Sequence, residues 1–178
     1  MKTTKTFYVL LVTASILYVT PSFGQTKPKL TDPEIASVAV TANQVDINYA
    51  AIAEKKSKEQ DIIEFAQTMA KDHQAVIDQA VALVTKLKVT PKDNAVSKKL
   101  NADAEKTKKS LNAKSGKDFD KAYINNEVAY HKAVIATVET VLIPESQNAE
   151  LKALLQQVLP VLKTHLEHAM MVQAKVVK

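Results

Sequence analysis

A chain of 178 residues with a formal net charge of +5 is long enough to bury a core, and its lack of cysteine excludes a disulfide scaffold or a lipid-modified cysteine anchor. All 24 basic side chains are lysine, which offers no bidentate fork for phosphates or guanine edges, and 5% aromatic residues with no tryptophan supply no base-stacking platform. These features argue against nucleic acid as a partner, and the absence of a glycine-flanked serine or a phosphate-cradling glycine loop argues against nucleophilic catalysis.

The first segment reads as an export signal. Lys2 and Lys5 make a basic start, Phe7 to Val19 is an apolar run broken only by Thr13 and Ser15, and Ser22-Phe23-Gly24 offers small residues for cleavage. The run is too short for a spanning helix and is followed at once by Pro21. The expected organisation is a signal peptide over residues 1–24 and a single helical domain over 25–178, exported from the cytoplasm, with no transmembrane segment after signal removal. Without Lys2 and Lys5 the formal charge falls from +5 to +3.

Past the signal only Gly116 remains of the two glycines, while alanine, leucine, lysine, glutamate and glutamine abound. That is a helical composition. Thr31-Asp-Pro-Glu34 combines an N-cap, a first-turn proline and a capping-box glutamate, and predicts a helix to about Lys56 with Ile35, Val38, Ala42, Val45, Tyr49 and Ile52 on one face. Ser57 with Gln60 repeats the box and predicts a second helix to about Leu87. Its apolar stripe, from Ile62 through Phe65 and Met69 to Val76 and Ala80, contains His73.

Val89-Thr-Pro91 breaks the pattern. A lysine-rich short helix is predicted over Ser97–Ala113, with Gly116 placed as its C-terminal cap. Asp118 opens a third long helix to about Leu142, and Ile143-Pro144 ends it. The last helix runs from about Ser146, with Leu151, Leu155, Val158, Leu162, His165, Ala169 and Val172 in one stripe and Pro160 within it. Two helical hairpins joined by roughly 30 residues predict an all-α, ferritin-like four-helix bundle with a long crossover containing an additional short helix. The alternative is an up-and-down bundle with the short helix packed across it.

Phe65-Ala-Gln-Thr-Met69 with Asp72-His73, Ser115-Gly-Lys-Asp-Phe-Asp120 with Tyr123 and His131, and Leu159-Pro160 with His165-Leu166 resemble the successive signatures of the bacterial domain of unknown function 4142 family. The resemblance spans about Thr31 to Lys175 and implies a ferritin-like bundle and an envelope location, periplasmic or associated with the outer membrane. It implies no function. His73, His131 and His165 match the family's histidine positions, whereas His168 is particular to this chain.

Di-iron bundles use two Glu-x-x-His pairs. Here the residues three before the histidines are Ala70, Val128, Leu162 and His165, so the ferroxidase pattern is missing and an enzyme is not expected. If the second and third long helices run parallel, His73 and His131 fall at the same height, with Glu127 one turn from His131. Reflection through a turn near Glu145 sets His165 opposite Asn125, close to Glu127. The candidate metal ligands are therefore His73, His131, His165 and Glu127, with Asp46 or Asn43 available from the first helix. Three nitrogens and one carboxylate suit zinc, copper or iron better than magnesium or calcium. The competing reading is a structural polar layer in a stress-related interaction module. Lys55-Lys56, Lys98-Lys99 and Lys108-Lys109 read as solvated faces, for which an envelope protein or an anionic surface is the matching partner.

Overall fold

The computed structural model describes residues 29–177, so the expected signal peptide lies outside the described residues. Among them the chain is helical throughout and carries no strand: α1 (Asp32–Lys56), α2 (Gln60–Lys86), α3 (Ala95–Asn112), α4 (Gly116–Thr137), a π-helical turn (Val138–Leu142), one further turn α5 (Ile143–Glu145) and α6 (Ala149–Val176). No helix of these residues is long and apolar enough to cross a membrane.

Short polar signals at the helix starts explain several boundaries. Glu34 reaches back to accept the Thr31 N–H at 3.0 Å and the Thr31 hydroxyl at 2.7 Å. Asn94 accepts from the N–H groups of Val96 and Ser97, and Asn148 from those of Glu150 and Leu151, so α3 and α6 each begin with an asparagine satisfying two otherwise orphaned donors. Two cap residues act differently from their sequence reading. Ser57 closes α1 rather than opening α2, whose N-cap is Glu59, and its hydroxyl donates to Asp120 at 2.6 Å. Gly116 is the first residue of α4, not the cap of α3, and its φ of +53° is the reason a glycine stands there. Ala113 caps α3 instead, in an ordinary right-handed conformation.

Contacts between helix ends define the topology. Lys86 pairs with Glu150 and Lys175 with Asp61, so α2 and α6 are antiparallel. The crossover starts beside the N-terminus of α1, where the Lys92 N–H donates to the Pro33 carbonyl and Asn94 Nδ2 to the Glu34 carbonyl. It ends beside the C-terminus of α1, where Lys56 Nζ donates to the Asn112 carbonyl. Thus α3 travels about 27 Å back along the bundle, and α4 begins level with α2 and runs parallel to it. The α4–α6 turn then returns to the start of α1, where Asp32 accepts the N–H groups of Gln147 and Asn148 at 2.9 Å each. The result is two antiparallel hairpins, α1–α2 and α4–α6, joined by one long crossover containing α3.

Apolar burial falls into two clusters along the bundle. One contains Phe65, Phe119 and Tyr123, with Tyr123 6.2 Å from Phe65 and 6.1 Å from Phe119 between ring centroids. The other is aliphatic, built from Ile35, Val38, Ile135, Val138, Leu142, Leu151, Leu155 and Leu162, and borders a hollow of about 80 Å³. A polar layer lies where the two meet.

Candidate metal centre

Each of the four long helices sends a polar side chain into this layer from a position that helical periodicity makes inward-facing. Asn43 and Asp46 come from α1, His73 from the middle of the α2 stripe, Glu127 and His131 from successive turns of α4, and His165 from α6, all of them buried. The three histidine rings form a triangle: His73 to His131 is 5.7 Å between centroids, His73 to His165 5.2 Å, and His131 to His165 5.7 Å. One nitrogen from each lies within 4.8 Å of the other two.

What stands behind each ring orients it. Asn43 donates its Nδ2 to the Ala39 carbonyl at 2.8 Å, which leaves its Oδ1 to accept from His73 Nδ1 at 2.7 Å. His131 Nδ1 is 3.0 Å from the Glu127 carbonyl oxygen, another pure acceptor. His165 Nε2 faces Asp72 Oδ2 at 3.0 Å. An oxygen acceptor places the ring proton on the nitrogen it faces, so the lone pairs belong to His73 Nε2, His131 Nε2 and His165 Nδ1. Those three atoms are buried without a hydrogen-bond partner.

Two carboxylates complete the layer. Asp46 Oδ2 is 3.4 Å from His73 Nε2 and 3.7 Å from His131 Nε2, and Glu127 Oε2 is 3.7 Å from His131 Nδ1. Asp46, Glu127 and His131 form a second cluster of donors within 4.8 Å, sharing His131 with the first. Neither carboxyl group has a hydrogen-bond partner and both are fully buried. Of the nine buried side-chain polar atoms without partners among the described residues, seven belong to Asp46, His73, Glu127, His131 and His165. Leaving so many polar atoms unsatisfied costs on the order of 1–3 kcal/mol each, so their concentration at one point requires a reason.

Burial shifts the ionisation of this group in opposite directions. It pushes His73 down to about 3, with the neighbouring His165 and His131 rings adding to the effect, and His131 down to about 4, against a small opposing effect of the Glu127 carbonyl. Desolvation lowers His165 too, although Asp72 partly offsets it. At neutral pH the three rings are therefore neutral, the form in which imidazole donates a lone pair. The carboxyls move up: desolvation raises both Asp46 and Glu127, and the nearby Asp46 charge raises Glu127 further. Two adjacent buried carboxylates ionise together only with a cation between or beside them.

Of the residues singled out in the sequence, His73, His131 and His165 come together, while Glu127 joins Asp46 beside His131. Asp46 is the carboxylate that touches two of the three rings. The height of His165 differs from the reflection argument: it faces His131, which centres the turn on Asn148 rather than Glu145, because the chain stays helical through the π turn and α5 before reversing. His168 stands apart, with its ring 5.1 Å from Phe65. Asp72 was not legible as a partner. It is adjacent to His73 in sequence but points across to α6, a pairing that depends on the α2–α6 register. Tyr130 borders the layer and is tied by its hydroxyl to the Ala42 carbonyl at 2.8 Å.

A sequence model of the family described as Domain of unknown function (DUF4142) matches residues 19–172, and the chain belongs to that family. No curated protein and no solved structure matches it.

Proposed function

For this member of the DUF4142 family, we propose an exported, periplasmic or outer-membrane-associated bundle that binds one transition-metal ion through His73, His131, His165 and Asp46. The observation that carries the reading is the division of labour on each ring. One nitrogen is held from behind by an oxygen acceptor while the other is buried and unpartnered, and the three rings each bring a nitrogen within 4.8 Å of the other two. Metal-binding histidines are oriented in this way, since the second-shell acceptor fixes the tautomer and raises the basicity of the ligating nitrogen.

Three imidazoles with one carboxylate favour zinc, copper or iron, because magnesium and calcium prefer oxygen donors. Charge also favours a divalent ion: two positive charges beside Asp46 and Glu127 make the layer neutral, and both carboxyls can then stay ionised in a dry interior. Glu127, clustered with Asp46 and His131, would serve in this arrangement as the neighbouring counter-charge. Such an ion would supply Lewis acidity and a template for ligands.

The test is to express the chain from Gln25, quantify bound metal, and titrate zinc and copper into the wild type and His131→Ala. Stoichiometric uptake that the variant loses supports the proposal. Wild-type protein that takes up no metal overturns it, and the layer is then a register device, with Asn43–His73 and Asp72–His165 pinning α1, α2 and α6 together. Detection of the protein in cytoplasmic rather than envelope fractions would overturn the location.

A further inference from the structure

The surface charge of the bundle is polarised from one end to the other. Two turns close the aromatic end, residues 54–59 between α1 and α2 and residues 109–118 between α3 and α4, and the Lys56 Nζ bond to the Asn112 carbonyl ties them together. These segments hold six lysines, Lys55, Lys56, Lys58, Lys109, Lys114 and Lys117, against Glu54, Glu59 and Asp118, an excess of three. That excess equals the whole formal charge left once Lys2 and Lys5 are set aside. The matching segments of the opposite end, residues 29–34, 86–93 and 145–150, hold four lysines against five acids.

Pairing sharpens the contrast. At the opposite end Lys86 is bound to Glu150 and Lys92 to Glu34, whereas none of the six lysines makes an ion pair among the described residues, and Lys55, Lys58, Lys109, Lys114 and Lys117 are exposed. The last helix also finishes at this end, where Lys175 pairs with Asp61, and its final turns leave Met170, Met171 and Val177 47%, 60% and 40% exposed. Three of the five large apolar side chains exposed among the described residues therefore stand within about 10 Å of one helix end.

We propose that this end docks on an anionic lipid surface, with its lysines at the phosphates and Met170, Met171 and Val177 against the headgroup boundary. Lysine is a hydrated point charge without a bidentate fork, which suits a layer of many phosphates better than a single bound anion. Exposed thioether and valine side chains gain from a lipid boundary and gain nothing from a hydrated anionic polymer. No helix of the described residues is long and apolar enough to cross the bilayer, so the contact is peripheral to it and weakens with salt. The inference stands on the surface of the bundle and does not require the metal.

Flotation of the metal-stripped chain from Gln25 with vesicles of phosphatidylcholine, alone or with about 30% phosphatidylglycerol, tests it. At roughly fivefold per lysine, an excess of three charges predicts about a hundredfold tighter binding to the anionic vesicles. Lys109→Glu with Lys114→Glu should lose about tenfold or more, whereas Lys88→Glu with Lys152→Glu, the same change of net charge at the opposite end, should lose less than about threefold. Met171→Ser should weaken binding about threefold. Equal binding to both vesicles, equal losses from the two double variants, no effect of Met171→Ser, or capture by dextran sulfate without capture by vesicles would each overturn the proposal. If a variant fails to fold by circular dichroism, the wild-type comparison of the two vesicles and dextran sulfate decides. Because the sample carries no metal, failure here leaves the zinc reading untouched, and protein that takes up no zinc leaves this inference standing.

Discussion

The two ends of the bundle meet the same packing requirement with different side chains. At one end Phe65, Phe119 and Tyr123 are fully buried, and flat rings span the gap between helices. At the other, valine, leucine and isoleucine occupy equivalent positions and leave about 80 Å³ unfilled. Native interiors are normally as dense as organic crystals, so the hollow is a property of one end and not of bundles in general. Aromatic rings fill one end across the gap between helices, whereas the aliphatic end keeps a hollow that reaches the polar layer. The histidine layer stands at the boundary, with rigid packing on one side and a cavity on the other.

The largest expected effect tests the rigid end. Phe65→Ala should destabilise the protein by about 3–5 kcal/mol in urea unfolding, because its neighbours are too well packed to collapse into the space. Leu155→Ala in the loose end should cost nearer ~2 kcal/mol. Equal losses would break the contrast between the ends.

At the boundary, His131→Ala should weaken zinc binding by at least ~100-fold, about 2.7 kcal/mol, measured by competition with a chelating dye. Removal of an orienting group should do less. Asn43→Ala is expected to lower zinc affinity by about 10- to 100-fold, since His73 then loses the acceptor that sets its tautomer. A variant indistinguishable from wild type would show that the ring is held by packing alone.

The smallest effect is one of stability and carries a sign. Glu127 has its folded-state value raised by burial and by Asp46, so the folded chain favours the protonated form. The resulting penalty is absent below the ordinary value of 4.5 and grows as the pH rises above it. In metal-stripped protein, Glu127→Gln should therefore raise stability by about 1 kcal/mol at pH 8 and leave it unchanged near pH 4. His73 and His131 run the other way, with folded values below 6.5, so they take stability away as the pH falls through the range from about 6.5 toward 4. A gain from Glu127→Gln at pH 4 equal to that at pH 8 would show that the carboxyl is not the source.

Much of this was legible in the chain itself, for identifiable reasons. Helix positions follow from three-and-four spacing of apolar residues, and the crossover follows from the length and composition between Leu87 and Gly116. The placement of His73, His131 and His165 on apolar faces already marked a buried layer. What failed to show depends on three-dimensional register. Ser57 and Gly116 carry cap-like identities that suit either neighbouring helix, and only their backbone angles and partners assign them. The π turn shifts the reversal of the chain from Glu145 to Asn148, which moves His165 up to His131. Asp72 and Asp46 act on residues of other helices, so no spacing within one helix reveals them.

The crossover has a consequence for how the chain could be cut and rejoined. Asn43, Asp46 and His73 lie before α3, whereas Glu127, His131 and His165 lie after it, so each hairpin brings an incomplete half of the layer. An ion held there is a crosslink between segments about 90 residues apart, of the kind that closes a long loop. Cleavage within α3 would leave two fragments, one per hairpin, whose association the ion itself would drive.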